Sequence, residues 1–151
     1  MNLILIILLS FFNISDDIEI VRNLYLAAHY SEHNCNDLGE KLASMDNKKS
    51  ILIQGYHGCY YFIKCKFIKN PVDKLNSFKK GKQMLENAIN QNPQSIELRF
   101  LRYTIQKKLP SILFYYNSKY KDLSFIEKNL KNLDDKKTKD FISTSLNSIN
   151  K

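Results

Sequence analysis

A chain of 151 residues with 44% hydrophobic and 25% charged side chains fits one globular domain able to bury a sizeable core. Its 4 glycines and 3 prolines are too sparse to punctuate a meander of short strands, which leaves an all-α domain as the expectation. The net charge of +8 raises nucleic acid as a partner, but the basic residues are spread along the chain. The densest groups, Lys79-Lys80-x-Lys82 and Lys136-Lys137-x-Lys139, carry no glycine-rich or aromatic RNA-binding signature, so they read as solvated helix surface.

Leu3 to Phe12 are apolar apart from Ser10, and the first charged side chains are Asp16 and Asp17. The run is short of the roughly 20 residues a spanning helix needs. It suits the apolar core of a secretory signal peptide, with Asn13-Ile14-Ser15 placing a small residue before a polar start. Residues 1–15 are therefore expected to be a signal peptide and residues 16–151 one α-helical domain, periplasmic or secreted, with no membrane span once the signal is removed. An uncleaved anchor and a buried N-terminal helix are the competing readings. No cysteine follows the run to serve as a lipoprotein acceptor.

The spacing of Ile18, Val21, Leu24 and Ala28 predicts a helix over 17–31, with Asp16 and Asp17 placed to cap it and oppose its dipole. A break is expected at Asn34 to Asn36, then a short helix carrying Leu38, Leu42 and Met45 on one stripe. From Ser50 the most apolar internal segment, 51–68, sets Leu52, Gly55, Gly58, Cys59, Phe62 and Cys65 on one face. Two glycines three apart there point to a close helix contact, since each costs a helix about 1 kcal/mol relative to alanine. Asn70-Pro71 restarts the chain as a cap and first-turn proline, and Leu75, Phe78, Gly81, Leu85, Ala88 and Ile89 run along one face to residue 91. Pro93 ends that helix, Ser95 can cap the next over 96–108, and Leu98, Leu101 and Ile105 share its face. Leu109-Pro110 closes it. Residues 111–120 fit an aromatic-rich turn or a short helix over the core. Two final helices are marked by Leu123, Ile126, Leu130 and Leu133, then by Phe141, Ile142, Leu146 and Ile149, with Asp134-Asp135 as the cap between them.

Gly81, Leu85, Ala88 and Pro93 have the spacing of the second helix of a tetratricopeptide-like repeat, His57-Gly58-x2-Tyr61 that of a first helix, and Leu98-x2-Leu101 restarts the cycle. The chain thus resembles a tetratricopeptide-like helical repeat protein. It departs from the pattern in the extra residues between Tyr61 and Gly81 and in Arg102, where the following repeat would hold a small residue. Arrays of this kind need about three units to bury a continuous core, so flanking helices must close the unit. Gly55-Tyr56-x-Gly58, Asn70-Pro71 with Lys74-Leu75-x2-Phe78-x-Lys80-Gly81-Lys82, and Asn92-Pro93-x2-Ile96-Glu97-Leu98-Arg99-Phe100-Leu101-Arg102 also resemble a family of small exported helical proteins from bacteria. That resemblance implies a fold and carries no established activity or catalytic residue. Together these features give an all-α fold of antiparallel helical hairpins, a tetratricopeptide-like array of about seven helices.

Residue patterns that carry chemistry are few. His29 and His33 are four apart on the expected helix, a spacing that can present two imidazoles to one ion. His57 and Cys59, two apart, would point to different sides of a helix, and no paired CxxC supports a metal site. Cys59 and Cys65 on one helix are too far apart to bridge, so the conceivable disulfide runs from Cys35 to one of them. Glu19, Glu32, Glu40, Glu86, Glu97 and Glu127 read as solvated charges. No phosphate loop, dinucleotide fingerprint, serine elbow or HExxH is present.

The reading is an exported interaction module without catalytic activity or cofactor, its partner another protein or peptide. Arg99, Tyr103 and Gln106 recur at i, i+4 and i+7, opposite the packed edge of their helix, and form the expected binding stripe. The competing placement buries Tyr103 against Tyr115 and Tyr116. An anion-binding module acting through the lysine clusters is the alternative function, and a metal protein or enzyme using the histidines and cysteines is the least favoured.

Overall fold

The computed structural model describes residues 16–45 and 50–149; the expected signal peptide, residues 1–15, lies outside them. Among the described residues there are seven α-helices and no strand. Helix α1 spans residues 16–27, α2 Glu32–Ala43, α3 Ile51–Lys64, α4 Pro71–Gln91, α5 Ile96–Lys108, α6 Lys119–Leu130 and α7 Lys136–Ile149, with a 3-10 turn at Ser111–Leu113. None of the described helices is long and apolar enough to cross a membrane.

Local chemistry sets the boundaries. Ser31, Ser50 and Ser95 accept from the backbone N–H groups of Asn34, Ile53 and Leu98, each three residues into its helix. Asn70 accepts from the N–H groups of Val72 and Asp73, and Asp135 from that of Thr138. The expected break at Asn34 to Asn36 is displaced to residues 28–31. The Ser31 cap starts α2 earlier, and the Asn34 side chain donates to the Ala27 carbonyl at 3.1 Å, satisfying an orphan acceptor at the end of α1. Leu133, expected in the sixth helix, lies beyond its end at Leu130.

Contacts between neighbours run in opposite registers. Gly39 meets Tyr60 while the Leu42 carbonyl meets His57; Gln54 meets Gln91 while Phe62 meets Phe78; Arg102 meets Asp122 while Arg99 meets Phe125. These pairs make α2–α3, α3–α4 and α5–α6 antiparallel hairpins. The α3–α4 seam is built on two glycines. A Cβ added to Gly58 would lie 2.9 Å from the Gly81 carbonyl oxygen, and one added to Gly81 would lie 2.8 Å from that of Gly58. The backbones touch there, and Leu85, Ala88 and Phe62 close over the contact.

Helix α5 is the centre. Every residue from Phe100 to Gln106 is buried, so it has no solvent face in that stretch. It packs on α3, α4, α6 and α7, and α1 reaches it through Arg22 to Glu97 and Tyr25 to Thr104.

Candidate binding groove

Enclosing α5 calls for internal partners for its polar side chains; two ionic clusters supply them to Glu97, Arg99 and Arg102, whereas Oε1 of the buried Gln106 finds no partner among the described residues. In the first, Glu97 accepts from Arg22 at 2.9 and 2.6 Å and from the Tyr56 hydroxyl at 2.6 Å, while Arg22 also donates to Thr138. Burial, and then the adjacent Glu97 carboxylate, hold the Tyr56 phenol protonated far above its ordinary range. In the second, Asp122, with no exposed surface, accepts from Arg102 at 2.7 and 2.8 Å and from Arg99 at 3.1 Å. Arg102 also donates to Glu86, which accepts from the Tyr115 hydroxyl. Glu86 and Glu97, expected as solvated charges, are thus parts of internal pins joining α1 to α3, α5 and α7, and α4 to α5 and α6.

The same enclosure corrects the expected stripe. Tyr103 and Gln106 are each 4% exposed, and Arg99 is folded over the Phe125 ring at 4.3 Å while donating to the Pro93 carbonyl. The three residues do not form an open surface, because α6 and α7 cover the side of α5 that a single hairpin would leave bare. Tyr115 stacks on Phe62 at 5.5 Å.

Of the repeat positions, Gly58, Gly81, Leu85 and Ala88 are buried in the seam. The Tyr61 carbonyl accepts from Ser77, and Pro93 follows the end of α4. His29 and His33, expected on one helix, fall on different elements, since Ser31 starts a new one between them. His33 is exposed beside Asp37, and His57 bonds the Leu42 carbonyl. Among the described residues no three His, Cys, Asp or Glu side chains gather as metal ligands would, and Cys35, Cys59 and Cys65 are unbridged thiols whose pKa values burial pushes up. The lysine clusters are largely engaged: Lys80 and Lys82 lie over the rings of Tyr61 and Tyr115, and Lys136 and Lys137 pair with Asp140 and Glu19.

One open feature is a groove of about 770 Å³, within the roughly 300–1,000 Å³ typical of small-molecule sites. Its floor comes from the C-terminal end of α3 (Phe62, Ile63), the first turns of α4 (Leu75, Phe78) and the C-terminal end of α5 (Ile105, Leu109). Leu109-Pro110 stops α5, and the chain turns through Ser111–Leu113 into Phe114, whose φ of 50° places a bulky residue in the left-handed region. This turn sets Leu113 on the groove wall and leaves Ile112 and Phe114 76% and 72% exposed beside it.

Lys66, Lys74 and Lys108 stand among the lining residues, and no Asp or Glu does. Lys66 donates to the His29 carbonyl at 2.9 Å. Burial, with Lys108 and Lys66 nearby, depresses the His29 pKa to about 4. Partial desolvation and then Lys66 lower that of Lys108. The single S–H of the half-buried Cys65 lies within reach of the Tyr61 and Lys74 carbonyls, at 3.2 and 3.4 Å. Sequence reasoning missed this groove; its trace was the apolar content of 111–120 beyond what a turn requires. Compared with protein families, curated proteins and solved structures, the chain matches none.

Proposed function

We propose that the chain is an exported, non-catalytic helical binding module, built around a tetratricopeptide-like hairpin, whose working surface is the groove between α3, α4 and α5. The observation that carries the reading is an apolar groove of about 770 Å³ with three lysines and no carboxylate among its lining residues. Such a surface is suited to holding a partner. The buried carboxylates Glu97 and Asp122 are committed to arginines, and a thiol with a raised pKa makes a weak nucleophile. The Gly58–Gly81 contact supports the hairpin. Export is supported by the apolar run Leu3 to Phe12, and an intact mass for the native protein beginning near Asp16 is its expected signature.

The neutral apolar fluorophore N-phenylnaphthylamine tests the groove. Saturable one-to-one binding to the folded chain is expected. It should be lost when Cys65 is capped with a bulky maleimide and in Leu113→Glu, with the melting temperature of each held. Binding that does not saturate, or that survives both changes, removes the groove from the account.

A further inference from the structure

The groove combines two kinds of surface. Ile105, Leu109, Leu113, Leu75 and Phe78 give it an aliphatic and aromatic floor, and the charges that join them are all of one sign. Lys66, Lys108 and His29 line the same groove; burial first, then Lys108 and Lys66, keeps His29 neutral, and partial desolvation with Lys66 nearby disfavours the charge on Lys108. Lys66 spends one N–H on the His29 carbonyl and keeps two. Among the described residues no salt bridge supplies a counter-charge to either lysine. A compact anion between them would relieve their repulsion and accept charge-assisted hydrogen bonds, while a nucleic acid would need stacking platforms and a longer cationic track.

Resting on the groove reading above, we infer that the occupant is a long-chain fatty carboxylate, its acyl chain on Ile105, Leu109, Leu113, Leu75 and Phe78 and its carboxylate held between Lys66 and Lys108. The apolar chain supplies affinity through buried area, and the carboxylate sets its orientation.

The test is displacement of N-phenylnaphthylamine from the full chain by myristate and by the matching alcohol, tetradecanol, both below their aggregation concentrations. Myristate should bind at least about tenfold more tightly than the alcohol, about 1.4 kcal/mol for one charge-assisted contact. In Lys66→Gln with Lys108→Gln that advantage should vanish while fluorophore and alcohol binding remain. Lys136→Gln with Lys139→Gln, which removes the same charge elsewhere, should keep it. If the fluorophore binds and myristate does not compete, or competes no better than tetradecanol, the fatty carboxylate is refuted and the groove stands. Failure of the fluorophore to bind both with residues 1–15 present and with them removed refutes the groove. Exclusion of every probe until residues 1–15 are removed, with Cys65 shielded until then, would assign the groove to the chain's own apolar N-terminal segment and overturn the inference.

Discussion

Replacing Gly81 with alanine tests the physical basis of the α3–α4 seam. Alanine in a helix interior is favoured over glycine by about 0.5–1 kcal/mol, so without tertiary contacts the substitution would stabilise. At Gly81 the new methyl meets the Gly58 carbonyl oxygen at 2.8 Å and the Phe62 backbone nitrogen at 3.2 Å. The first is about 0.6 Å short of the 3.4 Å where ordinary contact begins. Neither atom can rotate away, so the helices must part, and the closure of Leu85, Ala88 and Phe62 over the seam loosens with them. Overpacking of this kind costs about 1–3 kcal/mol. Because both clashes are with backbone atoms, the upper part of that range applies, about 2–3 kcal/mol; net of the propensity gain, Gly81→Ala should destabilise by about 1–2.5 kcal/mol, lowering the melting temperature by about 3–8 °C. Gly81→Val should cost more, having little propensity gain and a branched side chain to place. Gly39→Ala is the control, because the nearest atoms to its methyl belong to the outer end of the half-buried Tyr60 ring, which can swing aside. Urea melts of the three variants and of the double variant Gly58→Ala with Gly81→Ala decide the matter. The double should cost less than the sum, since one displacement relieves both clashes. A neutral or stabilising Gly81→Ala, or one indistinguishable from Gly39→Ala, refutes the backbone contact.

Asp122→Ala should cost about 3–5 kcal/mol in urea melts, because it strands Arg102 and Arg99 under α6; Asp122→Leu combined with Arg102→Met should recover much of that, and no recovery would mean the charge pair does more than satisfy itself. Lowering the pH should weaken the fold through His29. Its pKa in the fold is about 4 against an ordinary 6.5, so below about pH 6.5 the unfolded chain binds the proton first. Stability is then lost progressively as pH falls from about 6.5 to about 4 and is flat above that window. Denaturation midpoints at pH 7 and pH 5 for wild type and His29→Gln should differ mainly in the wild type, and equal slopes would refute the assignment.

The elements themselves were legible in the sequence, because they depend on local chemistry. Ser50, Asn70-Pro71, Ser95 and Asp135 cap their helices through backbone N–H groups within three residues, and the i, i+3, i+4 apolar spacing marks a face whatever covers it. The glycine contact was legible for the same reason: two glycines on one stripe of a helix and one on the next have few other uses. The site was not legible. Periodicity says which face of α5 is apolar, but not that α1, α3, α4, α6 and α7 would enclose it on all sides. Arg99, Tyr103 and Gln106 therefore read as surface while they are covered. Arg102 and Glu97 inside a helix flanked by apolar residues were the trace of buried ion pairs, yet their partners Asp122 and Arg22 lie 20 and 75 residues away, a distance no local pattern spans. The groove is likewise a product of three helix ends meeting, where Pro110 stops one helix and Pro71 starts another. The sequence determined the helix starts that carry a strong cap, as at Ser50, Asn70-Pro71 and Ser95; only tertiary packing decided which charges would be buried together and which apolar residues would be left uncovered, because both depend on contacts between segments remote in the chain.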